Sequence, residues 1–164
     1  MSITRPIVHA VSHGNNCRSP TAEAALKEAA RQLGVELDVR SAGTGDWHVG
    51  HPPDPRMREA AAAEGLPLSG TAEQVNAASL EASHLVLAMD RSNLADLQRL
   101  ARSAQVSADI RLFREFDPEA DGDADVPDPY YGGPDGFVEV VRMVRRTSRR
   151  VVELIAAGEL ARRR

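Results

Sequence analysis

A short apolar run at Pro6–Val11 leads directly into a turn-forming segment, residues 12–20, which is followed by an alanine-rich stretch. The run is β-branched and ends near a Gly-Asn pair, which predicts a buried first strand. The stretch Ser19–Leu33 has apolar residues at helical spacing and stops at Gly34, which predicts a helix. A strand, a tight loop and a helix in immediate succession therefore constrain this chain to an α/β architecture.

The rest of the chain continues this alternation of strands and helices. Further strands are predicted at Val35–Ser41, His84–Met89 and Ile110–Phe113, and further helices at Arg56–Glu64, Arg91–Arg102 and about Asp135–Ala157. Such alternation predicts a parallel sheet with helices on both faces. We expect a single domain over residues 1–164, with a three-layer α/β/α fold around a central four-stranded parallel sheet. Sheets of this kind bind ligands at the carboxyl ends of their strands, and the first strand ends at Ser12.

Composition and charge argue against several classes of partner and compartment. The net charge of −4 argues against nucleic acid as the main partner, which usually requires a basic face. No apolar run approaches the ~20 residues of a membrane span, and the N-terminus lacks the apolar segment of a secretory signal. We therefore expect a cytoplasmic protein. With Cys17 as the only cysteine and five scattered histidines, we expect no disulfide, metal site or cofactor.

The loop after the first strand has the features of an anion-binding site. The pair Gly14-Asn15 permits left-handed backbone angles, with which successive N–H groups can turn inward around an anion. The helix that follows adds free amide donors and the positive end of its dipole. Arg18 supplies a guanidinium that binds two phosphate oxygens at once. The loop therefore predicts a site that phosphate or sulfate can occupy.

The residue at position 12 would lie under the phosphorus of a bound phosphate, opposite the leaving group. A cysteine there would become a thiolate nucleophile, because inward N–H groups, the helix dipole and Arg18 all lower a thiol pKa. Ser12 is a poor substitute, since its hydroxyl is far less acidic and no base is evident beside it. Cys17 cannot take over, because the residue six positions after it is Glu23, whereas the residue six positions after Ser12 is Arg18.

These residues carry a resemblance to the low-molecular-weight protein tyrosine phosphatase family, whose loop has cysteine at the position of Ser12. The matching loop residues are Gly14, Asn15, Cys17, Arg18, Ser19, Pro20, Ala22 and Glu23. Further matching blocks follow in order: Ser41–Thr44, Trp47–Gly50, Asp54–Arg56, Met89-Asp90 and Asp128–Tyr131. The resemblance thus spans nearly the whole chain, and implies hydrolysis of phosphotyrosine through a cysteinyl-phosphate intermediate, without a metal.

The resemblance also implies roles for individual residues. Catalysis would involve position 12, Arg18 and Asp128, the last as the general acid that protonates the leaving phenolate. The phosphate would be bound by His13, Gly14, Asn15, Asn16, Cys17, Arg18 and Ser19. Asn15, Ser19 and Ser41 would hold the loop in shape by hydrogen bonds. Trp47 and Tyr130 would form aromatic walls around a phosphotyrosine ring, with Tyr131 nearby, and both tyrosines are potential phosphorylation sites. The implied partner is a phosphotyrosine protein or a small aryl phosphate, bound by a monomer.

The chain also departs from the family pattern. Asn16 stands where the family usually has an apolar residue, His13 lies where a side chain shapes selectivity, and residues 69–74 lack an expected histidine and arginine. Thiol-linked arsenate reductases resemble these phosphatases, but they need further cysteines to pass a disulfide along. Because Cys17 is the only cysteine, we do not expect this chain to be an arsenate reductase.

Two explanations of Ser12 remain open. Either serine was introduced in place of a natural cysteine to silence the enzyme, or the chain is a natural pseudophosphatase that binds phosphorylated ligands without turnover. Retention of Arg18, Asp128 and the loop-supporting residues favours the first, whereas Asn16 favours the second. A serine codon at position 12 of the encoding gene would exclude the first.

Overall fold

The computed structural model of the chain describes residues 5–129 and 133–162. Within them the strands are β1 (Ile7–Ser12), β2 (Asp38–Gly43), β3 (Leu85–Ala88) and β4 (Ile110–Leu112). The α-helices are α1 (Arg18–Leu33), α2 (Pro55–Ala63), α3 (Ala77–Ala82), α4 (Arg91–Ala104) and α5 (Pro134–Ala156), and a 3-10 turn at Phe113–Phe116 follows β4. The strands form one parallel sheet in the order β2-β1-β3-β4. The expected α/β fold with a four-stranded parallel sheet is confirmed.

Each face of the sheet is covered by its own group of helices. Along β1, Val8 and Ala10 pack into a cluster with α1, α2 and α5, whereas Val11 packs into a second cluster with α3 and α4. This division follows from the strand repeat, which sends successive side chains to opposite faces. Buried on both faces, β1 ends with its last residue, Ser12, at the carboxyl edge of the sheet. No helix within the described residues is both long and apolar enough to span a membrane.

Among the strands and α-helices, two differ from the sequence prediction by more than two residues. The second strand begins at Asp38 rather than Val35, because the Val35 amide donates to the Ala30 carbonyl and so still belongs to the end of α1. Helix α3 was not predicted, since it has only six residues and a single buried side chain, Leu80. A local signal for it exists: Asn76 and Ser79 exchange hydrogen bonds as a capping box.

Candidate active site

The loop at residues 13–17 connects β1 to α1 and is held by backbone hydrogen bonds from the segment after β2. The Thr44 amide donates to the Ser12 carbonyl over 2.9 Å, and the Gly45 amide donates to the His13 carbonyl over 2.9 Å. Gly43 allows this close approach: a Cβ there would lie 2.8 Å from the His13 carbonyl oxygen, closer than real Cβ atoms come. The loop backbone is therefore held by the end of β2 and by the two residues that follow it.

Asn15 takes the left-handed backbone conformation that the Gly-Asn pair was expected to permit, with φ of 52°. Its side chain is buried, and its Oδ1 accepts a hydrogen bond from Ser19 Oγ over 2.8 Å. This bond ties the left-handed residue to the first turn of α1, which stabilises an otherwise unfavourable backbone angle.

Ser12 lies at the bottom of the loop, buried and in contact with Ser19. The two hydroxyl oxygens are 2.7 Å apart, and Ser19 also lies 3.3 Å from the Ala42 carbonyl oxygen. Ser12, Ser19 and Asn15 thus form one buried chain of polar groups beneath the loop.

Arg18 begins α1, and its guanidinium is almost entirely buried, with 5% of the side chain exposed. Its Nη1 donates to Asp90 Oδ2 over 2.7 Å and to the Val126 carbonyl over 3.1 Å, while Nη2 lies 3.9 Å from Asp128 Oδ2. Because two elements distant in sequence hold it, the guanidinium is fixed in one orientation.

Asp90 holds Arg18 in place, although it was not among the predicted site residues. It caps α4 by accepting from the Asn93 amide over 2.7 Å and binds Arg18 with its second oxygen. The signal was present in the sequence, because Asp90 follows a buried strand that lies next to β1 and so ends at the same edge of the sheet.

Asp128 reaches the site from the acidic loop between the 3-10 turn and α5. The loop is tied to the sheet at Val126, whose amide donates to the Met89 carbonyl over 2.8 Å. Two residues further on, the Asp128 side chain is 41% exposed and lines the same cavity as Ser12 and Arg18.

These groups surround a cavity of about 410 Å³ at the carboxyl edge of the sheet. It is lined by Ser12, His13, Gly14, Asn16, Cys17, Arg18, Trp47, His48 and Asp128. Trp47 is 60% exposed, and its ring lies 4.5 Å from that of His13, so the two form one wall. His48, a further lining residue, was not among the predicted site residues. Tyr130 and Tyr131 lie outside the described residues.

Support of the loop by Ser41 stays a prediction, because the side-chain hydrogen bond of Ser41 within the described residues is made to α1. Its hydroxyl donates to Glu23 Oε1 on α1 over 2.5 Å, since its side chain points towards that helix. At the loop itself, the neighbouring Ala42 carbonyl is the β2 group near Ser19. Any support that Ser41 gives the loop therefore passes through α1.

Cys17 is buried in the wall of the cavity. Burial, together with the nearby carboxylates of Asp54 and Asp128, raises the pKa of its thiol to about 12. The thiol is therefore protonated at neutral pH, which agrees with its exclusion as the nucleophile. Within the described residues, no group of three or more His, Cys, Asp or Glu side chains could hold a metal ion.

Comparison with known proteins relates this geometry to a family. Residues 7–161 match the family described as low molecular weight phosphotyrosine protein phosphatase. A low molecular weight protein-tyrosine-phosphatase of Streptomyces coelicolor is 43% identical over 84% of this chain and 86% of that protein. A protein tyrosine phosphatase from Entamoeba histolytica superposes with a TM-score of 0.87 at 28% identity, covering 94% of this chain and 99% of that one.

A further similar structure is a cysteine-to-serine mutant of the arginine phosphatase YwlE with a phosphorylated active-site serine. It superposes with a TM-score of 0.80 at 26% identity and covers 92% of this chain and 95% of that one.

Proposed function

The chain belongs to the low molecular weight phosphotyrosine protein phosphatase family. We propose that its cavity binds phosphotyrosine in proteins, or a small aryl phosphate, and that the phosphate ester is hydrolysed after attack on phosphorus by the residue at position 12. The observation that carries this proposal is the buried Arg18 guanidinium. Arg18 is the first residue of α1, directly after the loop, and its guanidinium is held by a hydrogen bond to Asp90. A fixed guanidinium and a helix N-terminus together suit the equatorial oxygens of a transferring phosphoryl group.

The remaining residues of the cavity are given roles by their positions. Asp128, exposed at the rim and 3.9 Å from Arg18, acts as the general acid towards the leaving phenolate. The wall of Trp47 and His13 packs against the flat ring of the substrate. An aromatic wall from Tyr130 is a prediction of the sequence, as are the single domain over 1–164, the monomeric state and the cytoplasmic location.

Ser12 limits what this chain does with a bound substrate. Its hydroxyl is buried, and the described groups within hydrogen-bonding distance are neutral, so the site supplies no base that would make it a strong nucleophile. The chain therefore binds phosphoryl groups and scarcely turns them over. This limit is the same whether serine at position 12 is native, as in a pseudophosphatase that binds phosphoproteins, or introduced.

Phosphoarginine is a second candidate substrate, suggested by the arginine phosphatase among the similar structures. The specific observation in its favour is Asn16, a polar side chain that lines the cavity where the sequence comparison expects an apolar one. An amide can hydrogen-bond to a guanidinium but gains nothing from a phenyl ring.

The proposal is tested with the Ser12→Cys variant, assayed on a phosphotyrosine peptide, a phosphoarginine peptide and a sugar phosphate. We expect phosphotyrosine to have the highest kcat/KM. Preference for phosphoarginine, lost in Asn16→Ile, would favour the second candidate. A folded variant inactive on all three substrates would contradict both and leave the binding function.

A further inference from the structure

We infer that Ser12 is itself a phosphoryl acceptor: an aryl phosphate transfers its phosphoryl group to Ser12 Oγ, and the resulting phosphoserine persists. The chain would then act once per molecule, as a stoichiometric phosphoryl trap. This inference rests on the proposed function, because the same cavity has to bind the aryl phosphate.

The first argument is the direction of the hydrogen bonds beneath the loop. The Ser19 hydroxyl has one proton, and its acceptors are Asn15 Oδ1 at 2.8 Å and the Ala42 carbonyl at 3.3 Å. In the 2.7 Å contact between the two serines, Ser12 must therefore be the donor. The Ser12 proton points towards a fully buried hydroxyl, which leaves the lone pairs of Ser12 Oγ for the cavity that this residue lines.

The second argument is that most of the catalytic arrangement does not depend on sulfur. Phosphoryl transfer relies on positioning and on stabilisation of charge at the equatorial oxygens, and asks little covalent chemistry of the protein. Arg18 and the start of α1 supply that stabilisation with serine in place. Holding the hydroxyl under the phosphorus replaces a bimolecular encounter by an oriented one.

The transfer step balances without a further reactant. The Ser12 Oγ–P bond forms as the bond between phosphorus and the phenol oxygen breaks. As this bond forms, the Ser12 hydroxyl rotates so that its proton leaves Ser19 and passes to a non-bridging oxygen of the phosphoryl group, and protonated Asp128 gives its proton to the departing phenolate. The products are monoprotonated phosphoserine, a free phenol and the Asp128 carboxylate.

The reaction stops there because the two steps have unequal leaving groups. Transfer to Ser12 expels a phenolate, whereas hydrolysis of the product would have to expel a serine alkoxide, which is a much stronger base. In a cysteine enzyme the second step expels a thiolate, whose parent thiol has a pKa near ~8.5. Unactivated phosphate monoesters are among the slowest compounds known to hydrolyse.

The experiment incubates the chain with p-nitrophenyl phosphate while p-nitrophenol release and intact mass are followed together. We expect release to level off at no more than one equivalent, with one added phosphoryl group that peptide mapping places on Ser12. The adduct should survive removal of the substrate. Ser12→Ala should form none, whereas Ser103→Ala, which removes an exposed serine of α4, should form it as the parent chain does.

The phosphoryl adduct on the parent chain tests the inference, and the activity of Ser12→Cys tests the proposed hydrolysis. No adduct on the parent chain, or repeated turnover without one, overturns the inference even where Ser12→Cys is an active phosphatase. An adduct that maps to another serine overturns it as well. An inactive but folded Ser12→Cys overturns the proposed hydrolysis, while the mass of the parent chain still decides whether Ser12 accepts a phosphoryl group.

Discussion

At the scale of single residues, the site separates two side chains that both line the cavity, Ser12 and Cys17. Ser12 lies beneath the loop in a chain of neutral hydroxyl and amide groups, whereas the only thiol, Cys17, lies in the cavity wall. Burial and the carboxylates of Asp54 and Asp128 raise the pKa of that thiol to about 12. Position 12 therefore shares its cavity with the Arg18 cation but has no thiol. The thiol of Cys17, in contrast, is protonated at neutral pH.

Cys17 should accordingly be nearly inert to thiol reagents in the folded chain. A pKa of about 12 in place of about 8.5 lowers the thiolate fraction at pH 8 by roughly three orders of magnitude. We expect iodoacetamide to alkylate the native chain far more slowly than the chain unfolded in guanidinium chloride, as followed by mass spectrometry. Similar rates in the two states would contradict this assignment.

Asp90→Asn, made in the Ser12→Cys variant, should reduce kcat in a chain that still folds. Asparagine can still cap α4, but the charged hydrogen bond that orients Arg18 is lost. Such a bond contributes about 1.5–3 kcal/mol, which corresponds to a decrease of roughly 10- to 100-fold. The matched control is Asp96→Asn, which breaks only an exposed pair with Arg99 on the same helix. Equal kcat values for the two variants would refute the positioning role.

His9 should make the chain less stable in mild acid. It is buried on β1, and burial first and Arg40 second lower the pKa of its imidazole. Between the lowered native pKa and the unfolded value near ~6.5, the unfolded chain binds more protons, so stability rises with pH across that interval. Urea unfolding at pH 5 and pH 7 should show a smaller difference for His9→Gln than for the exposed-site control His51→Gln. A stability difference between pH 5 and pH 7 as large in His9→Gln as in His51→Gln would contradict this role of His9.

At the scale of elements, the acidic loop that carries Asp128 depends on one buried carboxylate at its start. Asp117 has no exposed side-chain surface and accepts from Arg146 at 2.8 and 3.0 Å and from Arg114 at 3.2 Å. It thereby ties the beginning of the loop to both the 3-10 turn and α5. Although burial raises the pKa of Asp117, hydrogen bonds from Arg146, the Glu119 amide and Arg114 keep it below its usual value.

Asp117→Ala should therefore destabilise the chain by about 3 kcal/mol, because two arginines lose their shared partner. Asp121→Ala removes an exposed carboxylate from the same loop and should change the free energy of unfolding by less than about 0.5 kcal/mol. Both values can be measured by urea unfolding. A loss for Asp117→Ala no larger than that of the control would mean that this ion pair does not anchor the loop.

The elements also show how far the sequence alone could predict the site. The β1-loop-α1 segment was predictable because its signals are local: a β-branched run, a Gly-Asn pair and an alanine-rich helix. The roles of Asp90 and the contact of Ser41 with Glu23 were not, because they depend on which side chains a packed sheet brings together. Helix α3 was missed because six residues carry too little periodicity to identify a helix.

At the scale of the whole molecule, the strand order β2-β1-β3-β4 creates the site. It places the end of β3, and hence Asp90, beside the end of β1, although Arg18 and Asp90 are 72 residues apart in the chain. Arg18 also reaches Val126, 108 residues away. Because the loop, α4 and the acidic loop meet only in the folded chain, a ligand bound there should stabilise the entire fold.

Inorganic phosphate should consequently raise the Tm of this chain, with Ser12 in place. A ligand at 100 times its Kd adds about 2.7 kcal/mol to the free energy of unfolding. Arg18→Ala should lose this shift, whereas Arg31→Ala, which removes an exposed arginine at the other end of α1, should keep it. Unfolding should remain a single transition, as the predicted single domain requires. An equal shift in Arg18→Ala would place the phosphate elsewhere.

We propose that this chain has the phosphate site of a tyrosine phosphatase and that position 12 alone limits turnover. The most direct measurement is steady-state hydrolysis of p-nitrophenyl phosphate by the chain and by Ser12→Cys, with the phosphate-induced Tm shift as a test of folding in both. We predict sustained turnover by Ser12→Cys and the release of at most one equivalent of p-nitrophenol by the chain with Ser12. Sustained turnover by both proteins, or by neither while both bind phosphate, would contradict the account.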